Sequence, residues 1–284
     1  LTVVKISENA FSDLKSLKRL TIRTNIVEIA EGALFGTENL EFLQIPFLGE
    51  NINASGSSAQ LGYIFGTKKF ENSYEVYRLN SSSLKYYLPN SLAEVVITDV
   101  VVIPDSAFEG ANSITKATLP IELLTIGRSA FYNTGLKTID LQNHFYLTHI
   151  DEYAFASSSQ LESILLPNSV LSIGSRAFSR TSITNFAIPN QLVEIAGYLF
   201  EYSPLIEINI PNNIESIGFS SFQYTSLEKV IFEENSKLKS IDVGAFRGTY
   251  ITEISIPVSV ETIGDAAFSS IATLENIELP FIGK

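Results

Sequence analysis

The chain has 284 residues, 45% of them hydrophobic and only 18% charged, with a formal net charge of −12. That acidity works against phosphate backbones and against an electrostatic hold on anionic membranes, so no nucleic acid is expected as partner, and the lack of a long apolar run means no membrane insertion is expected in this segment. There is no cysteine, which removes disulfides, thiolate catalysis and cysteine-ligated zinc together.

The opening Leu1-Thr2-Val3-Val4-Lys5-Ile6 lacks a basic region followed by a long apolar one, so it does not read as a signal peptide. Without an initiator methionine, the chain reads as a piece of a longer protein. No run of about 18 apolar residues marks a transmembrane helix.

A repeat then takes over. Its clearest copy reads Leu161-Glu162-Ser163-Ile164-Leu165-Leu166-Pro167, then Val170-Leu171-Ser172-Ile173-Gly174-Ser175-Arg176-Ala177-Phe178. A closing Phe stands at 11, 35, 108, 131, 155, 178, 200, 222, 246 and 268, and from Phe108 the steps are 23, 24, 23, 22, 22, 24 and 22 residues. Fixed periods of this length mark stacked arrays. In the first half of each unit, as in Leu136-Lys137-Thr138-Ile139-Asp140-Leu141, apolar and polar residues alternate with the period of a half-buried strand. Prolines such as Pro120, Pro167 and Pro211 close that strand, because proline cannot donate to a ladder. Gly127, Gly174, Gly218 and Gly264 follow the second Ile and are read as permitting a tight backbone turn. One unit cannot bury its own apolar face, but a stack of units makes a continuous column.

Between Phe35 and Phe108 the rhythm breaks for 73 residues, where regular spacing gives about three units. Residues 47–87 read as an irregular coil with an excursion rather than a separate domain. The segment is rich in tyrosine (Tyr63, Tyr74, Tyr77, Tyr86, Tyr87), and Leu61-Gly62-Tyr63-Ile64-Phe65 resembles a degenerate second half. At the far end, Leu279-Pro280-Phe281-Ile282-Gly283-Lys284 repeats the pattern of Ile45-Pro46-Phe47-Leu48-Gly49-Glu50, so both ends are expected to be truncated from a longer protein.

The repeated L-x-x-I-x-L-P…V-x-x-I-G-x-x-A-F resembles the BspA-like leucine-rich repeats of surface proteins from bacteria and some parasitic protists. The resemblance covers nearly the whole chain. It implies a mainly β, right-handed leucine-rich-repeat solenoid over 1–284, with short parallel strands, about 23 residues per coil and few short helical turns. It also implies a bacterial cell-surface or secreted protein with a role in adhesion or host-protein binding. Ala196 and Asp242 depart from the usual Gly, and Ser221 and Leu199 from the usual Ala.

Catalysis finds little support. His144 and His149 sit five residues apart, which is no recognised metal-ligand motif, and Asp151-Glu152 and Glu233-Glu234 lack the spaced oxygens and glycine of a calcium loop. No nucleophile elbow, zinc-protease helix or phosphate loop occurs, so no catalytic residue, metal or cofactor is expected. Asn53-Ala54-Ser55 and Asn80-Ser81-Ser82 fit the glycosylation acceptor pattern.

Binding through the concave sheet is the natural use of a solenoid. The outward strand positions form two columns, and the candidates are Lys116, Thr138, Asp140, Ser163, Leu165, Asn185, Glu207, Asn209, Lys229 and Ile231. Leu165, Ala187 and Ile231 are apolar where polar residues fit easily, which points to a shallow contact patch. The expected partner is an extracellular or host protein, met by a monomer. The rivals are a spacer that presents another domain and a carbohydrate-binding module built on the tyrosine-rich segment.

Overall fold

The computed structural model describes residues 4–78 and 81–280. Three sequence readings fall at least partly outside these: the opening stretch from Leu1, the acceptor Asn80, and the C-terminal echo from Phe281 to Lys284. The chain divides into two compact units, residues 1–139 and 140–284. Each is a β-solenoid of parallel strands about 23 residues apart, with almost no helix. The right-handed leucine-rich-repeat class read from the repeat is the class observed.

In the first unit, Arg19–Thr21, Phe42–Ile45, Glu94–Ile97 and Lys116–Thr118 form one four-stranded parallel sheet. Its register sets Arg19 beside Phe42, Phe42 beside Glu94 and Glu94 beside Lys116. In the second unit, Glu207–Ile210 pairs with Lys229–Phe232, and Glu253–Ser255 with Asn276–Glu278. Alternation does what the sequence demands: Ile208 and Ile210 point inward, while Glu207 and Asn209 point out. A second row of two-residue strands lies on another face, where Glu194–Ile195, Ser216–Ile217, Ser240–Ile241 and Thr262–Ile263 stack in order.

The closing phenylalanines make the core. In the second unit, the rings of Phe155, Phe178, Phe200, Phe222, Phe246 and Phe268 stack at centroid spacings of 5.7, 5.7, 5.7, 5.3 and 5.4 Å. Phe186 stands where other strands carry Ile. Its ring fits between Phe178 and Phe200, at 5.2 and 4.9 Å, and here the sheet narrows to a single bridge between Asn185 and Glu207. Buried hydroxyls finish the coils: Thr181, Thr225 and Thr249 each donate from Oγ1 to the carbonyl of the Phe three residues earlier, all at 2.9 Å.

The glycine after the second Ile has a different purpose from the one expected. Gly174 lies outside the left-handed region, and so does Gly218. A methyl group at Gly174 would sit 2.4 Å from the Glu152 nitrogen, and one at Gly218 would sit 2.7 Å from the Ile195 carbonyl oxygen. The glycine is there because adjacent coils touch backbone to backbone, not because the chain needs a special φ.

Left-handed backbone appears instead around the Phe, at the second residue before it and the second after it: Arg176 and Arg180 (φ 59° and 58°), Tyr198 and Tyr202 (59° and 60°), Ser220 and Tyr224 (51° and 55°). These turns build the third face of the coil, the turn face. Three N–H groups per coil donate forward across it. In one coil Arg176, Phe178 and Arg180 donate to the carbonyls of Gly197, Leu199 and Glu201; in the next, Tyr198, Phe200 and Tyr202 donate to Phe219, Ser221 and Gln223. The intervening N–H groups turn back within their own coil, as Ala177 does to Gly174 and Ser179 to Arg176. Each left-handed non-glycine residue costs about 1–2 kcal/mol, and the forward ladder offsets that.

Residues 47–87 hold two short 3-10 turns, Gly56–Ala59 and Leu61–Phe65, followed by an antiparallel hairpin of Ser73–Arg78 with Ser81–Pro89. Phe65 is fully buried and supplies this coil's core ring. Because Phe42–Ile45 pairs directly with Glu94–Ile97, the long interval adds no strand to the sheet. Its extra length goes into the hairpin.

Candidate functional site

Two surfaces qualify. The first is the strand face, where the sequence candidates lie. In the first unit Lys116 and Thr138 are exposed. In the second, Asp140, Leu165, Asn185, Glu207, Asn209, Lys229 and Ile231 are exposed and Ser163 is half-buried. The register confirms that neighbouring coils align their outward residues: Asn185 sits beside Glu207, Glu207 beside Lys229, and Asn209 beside Ile231.

Much of this polarity is used internally. Lys116 Nζ meets Glu94 at 2.8 Å, and Lys229 Nζ meets Glu207 at 3.4 Å. Asn209 donates to Glu233 at 3.3 Å, Ser255 to Glu278 at 2.8 Å, and Asp140 accepts from its own turn at the Gln142 nitrogen at 3.0 Å. Arg19 lies 3.8 Å above the Phe42 ring. Exposed pairs of this kind contribute little each, but they match charge along the stack. Leu165 and Ile231, 40% and 37% exposed, and the exposed Ala187 are apolar positions on this face.

The second surface, the turn face of the second unit, escaped the sequence reading. Arg176 is held between two rings, 5.6 Å from the Tyr153 centroid and 3.7 Å from that of Tyr198, and it donates to the Tyr153 hydroxyl at 3.3 Å. Tyr198 in turn packs on Phe219 at 5.0 Å. In a parallel row, Arg180 lies 4.5 Å over Tyr202, and Tyr202 stacks on Tyr224 at 5.1 Å. That row ends at Gly248, where a side chain would meet the Tyr224 ring at 2.5 Å. Tyr202 and Tyr224 are nevertheless 45% and 38% exposed. The signal was present: Tyr or Arg recurs two residues before and two after the closing Phe in consecutive coils. Attention to the invariant letters hid it.

In the first unit the hairpin covers part of the corresponding face, around Gly62 and Gly110, while Asp13 and Asn133 stay exposed. The hairpin's Tyr86 packs over Gly62, where an added methyl would lie 2.4 Å from its Cβ, and Val76 packs over Gly110 at 3.7 Å. The Tyr74 hydroxyl shares a hydrogen bond of 2.9 Å with Ser113 Oγ and accepts from the Ser113 nitrogen at 3.1 Å. Burial raises the Tyr74 pKa. On the outer side Glu75 accepts from Tyr77 and Tyr87 and meets Lys85, and these bonds hold its carboxyl below the usual value. A polar cleft of about 280 Å³, lined by Glu8, Asn9, Glu31, Gly32, Phe35, Gly66, Thr67 and Lys68, lies nearby.

Neither histidine gathers a metal set. His149 Nδ1 lies 2.7 Å from its neighbour Thr148 Oγ1, and no group of three metal-ligating side chains exists among the described residues. Among those residues no helix is long and apolar enough to cross a membrane. Asn53, of the first acceptor triplet, is exposed.

The coil, its Phe column and its paired strands define a leucine-rich-repeat protein. More narrowly, the chain belongs to the BspA type leucine rich repeat family, which matches it over residues 1–60, 80–206 and 193–282 in six copies. Among solved structures, a leucine-rich repeat protein from Bacteroides ovatus shares 23% identity and a TM-score of 0.52, over 97% of this chain and 82% of that one. A leucine rich cell surface protein from Faecalibacterium prausnitzii shares 23% identity over 98% and 76%, with a TM-score of 0.44. The pneumococcal vaccine antigen PcpA shares 17% over 98% and 68%, with a TM-score of 0.49. No protein of curated function matches the chain. Leucine-rich-repeat proteins are in general non-catalytic.

Proposed function

We propose that this chain is a non-enzymatic binding protein, displayed on the cell surface or secreted, that recognises an extracellular protein or another cell surface as a monomer. Family membership supports a binding or adhesion role. The observation that carries the location is the aligned strand face of the second unit. There Leu165 and Ile231 leave apolar area exposed on a face where Glu207 pairs with Lys229 and Asn209 bonds to Glu233. A surface whose polar groups are satisfied among themselves loses little on desolvation, so apolar contact can decide the affinity. The carbohydrate reading is weaker, because Tyr74, Tyr86 and Tyr87 of the hairpin are hydrogen-bonded into the molecule.

The test starts from saturable binding to a panel of extracellular-matrix proteins by surface plasmon resonance. The double variant Leu165→Lys, Ile231→Lys is expected to weaken a confirmed interaction by about tenfold or more. An unchanged affinity would overturn the strand-face assignment. Absence of saturable binding across the panel would favour the spacer role.

A further inference from the structure

The turn face of the second unit presents a different chemistry, and its interior contacts restrict what it can hold. Between residues 175 and 248 its turn segments contain Arg176, Arg180 and Arg247 against one acid, Glu201, while Glu152 and Asp265 lie in the turns on either side. Glu201 lies 4.0 Å from Arg176. Among the described residues no carboxylate is within ion-pair distance of Arg180 or Arg247. The faces of the rings are spent on one another: Tyr202 lies between Arg180 and Tyr224, and Tyr224 ends on Gly248. A sugar ring that needs a bare aromatic face therefore finds none in this row. Ring edges, tyrosine hydroxyls and guanidinium N–H groups remain.

These side chains also sit where they are conformationally dear. Arg180, Tyr202 and Tyr224 occupy left-handed backbone at places where Gly110 and Gly248 serve other coils. A glycine would fit at no steric cost, and a cation–π contact contributes about 0.5–2 kcal/mol, similar to the left-handed penalty. Internal stacking alone thus gives no clear advantage to Arg and Tyr over glycine. The first unit shows what this surface accepts: an antiparallel hairpin, extended backbone with alternating side chains, lies over Gly62 and Gly110 and bonds to Ser113.

We propose that the turn face of the second unit docks an extended, acidic segment of a partner protein. Carboxylates on one side of that segment take the outer edges of Arg180 and Arg176 in charge-assisted hydrogen bonds, and its apolar residues lie against the edges of Tyr202 and Tyr224. The site is separate from the strand face, and its test distinguishes the two.

An alternating Glu–Val peptide of about a dozen residues serves as the probe, since its charges fall on one side of an extended chain. Titrated into the full chain, it is expected to shift the Arg180 and Arg176 guanidinium signals and the Tyr202 ring signals in NMR spectra. A Gln–Val peptide should leave them in place. Arg180→Gln removes the charge while keeping a polar side chain and should lower the affinity about tenfold, while Leu165→Lys, Ile231→Lys leaves it unchanged. Circular dichroism checks that each variant folds. Equal binding of the two peptides, shifts confined to the strand face, or an Arg180→Gln variant with unaltered affinity would overturn the proposal. So would the absence of any shift on the turn face.

Discussion

In the first unit Gly110 leaves a gap on the turn face, and Val76 of the hairpin fills it. At the same place in successive coils of the second unit stand Arg180, Tyr202 and Tyr224, and no other segment packs over that row among the described residues. The backbone is the same in both units: a left-handed residue on either side of a buried Phe, with N–H groups directed to the next coil. What differs is whether the side chain at that point is absent, so that another part of the chain lies across it, or large, so that the face closes over itself in rows. Identical coils thus yield one face finished by insertion and one finished by stacking.

The strongest challenge to this comparison is to remove what both units share. Phe200→Ala takes out a fully buried ring in the middle of the second unit's column, beneath Tyr198 and Tyr202. It is expected to cost about 3–5 kcal/mol in a urea melt, with the largest loss of amide protection in the adjoining coils. A melt identical to the parent's would refute the stacked-coil account of stability.

Next comes the hairpin. Gly62→Ala forces a methyl group to within 2.4 Å of the Tyr86 Cβ, so the hairpin must lift. An overpacking cost of about 1–3 kcal/mol is expected, with faster amide exchange across Ser73–Arg78. If exchange there stays unchanged, the hairpin is not seated on that glycine.

The second unit carries its own internal control. Ser221 replaces the repeat's Ala and is fully buried, and its hydroxyl has no hydrogen-bond partner among the described residues. Ser221→Ala should raise stability by about 1 kcal/mol and increase Tm. Smaller still is the effect of the stacked rows. Tyr202→Ala loses ring contacts but keeps the left-handed penalty, at about 0.5–1.5 kcal/mol. Tyr202→Gly loses the ring and relieves the penalty, so it should be the milder of the two despite glycine's greater flexibility. If the order is reversed, backbone strain at this position is negligible.

Acid separates the two faces with the least perturbation. Hydrogen bonds from Tyr77 and Tyr87, and then Lys85, hold Glu75 below the usual carboxylate value of 4.5. A lowered native pKa gives stability that is present above the unfolded value and is lost as the pH falls through the native one. The hairpin should therefore loosen at pH values below 4.5, with a change in tyrosine signals, while the ladder of Arg180, Tyr202 and Tyr224, which contains no carboxylate, keeps its signals.

The repeat was legible because every coil states it again. The Leu, Ile and Phe spacing gave the strands and the ring column, and the resemblance to BspA-like repeats implied the parallel class. Two kinds of feature resisted. Gly174 was assigned to a turn, since a sequence shows what a residue permits along its own chain and not which backbone approaches from the next coil. The Arg and Tyr rows were passed over because they lie at the variable letters of the motif, which look like solvated surface until the coils are stacked. Residues 47–87 keep only a degenerate second half at Leu61–Phe65, so their hairpin followed from no spacing rule.

The turn-face ladder has one more consequence. From Phe155 to Phe246, each coil's turn-face N–H groups give hydrogen bonds to the carbonyls of the next coil, always in the same sense. Coils can therefore be duplicated, deleted or shuffled by recombination without disturbing their neighbours' bonding, but none can be inserted back to front. An array of this kind can change its length freely during evolution while its orientation stays fixed, and surface variety then arises from which coil stands next to which.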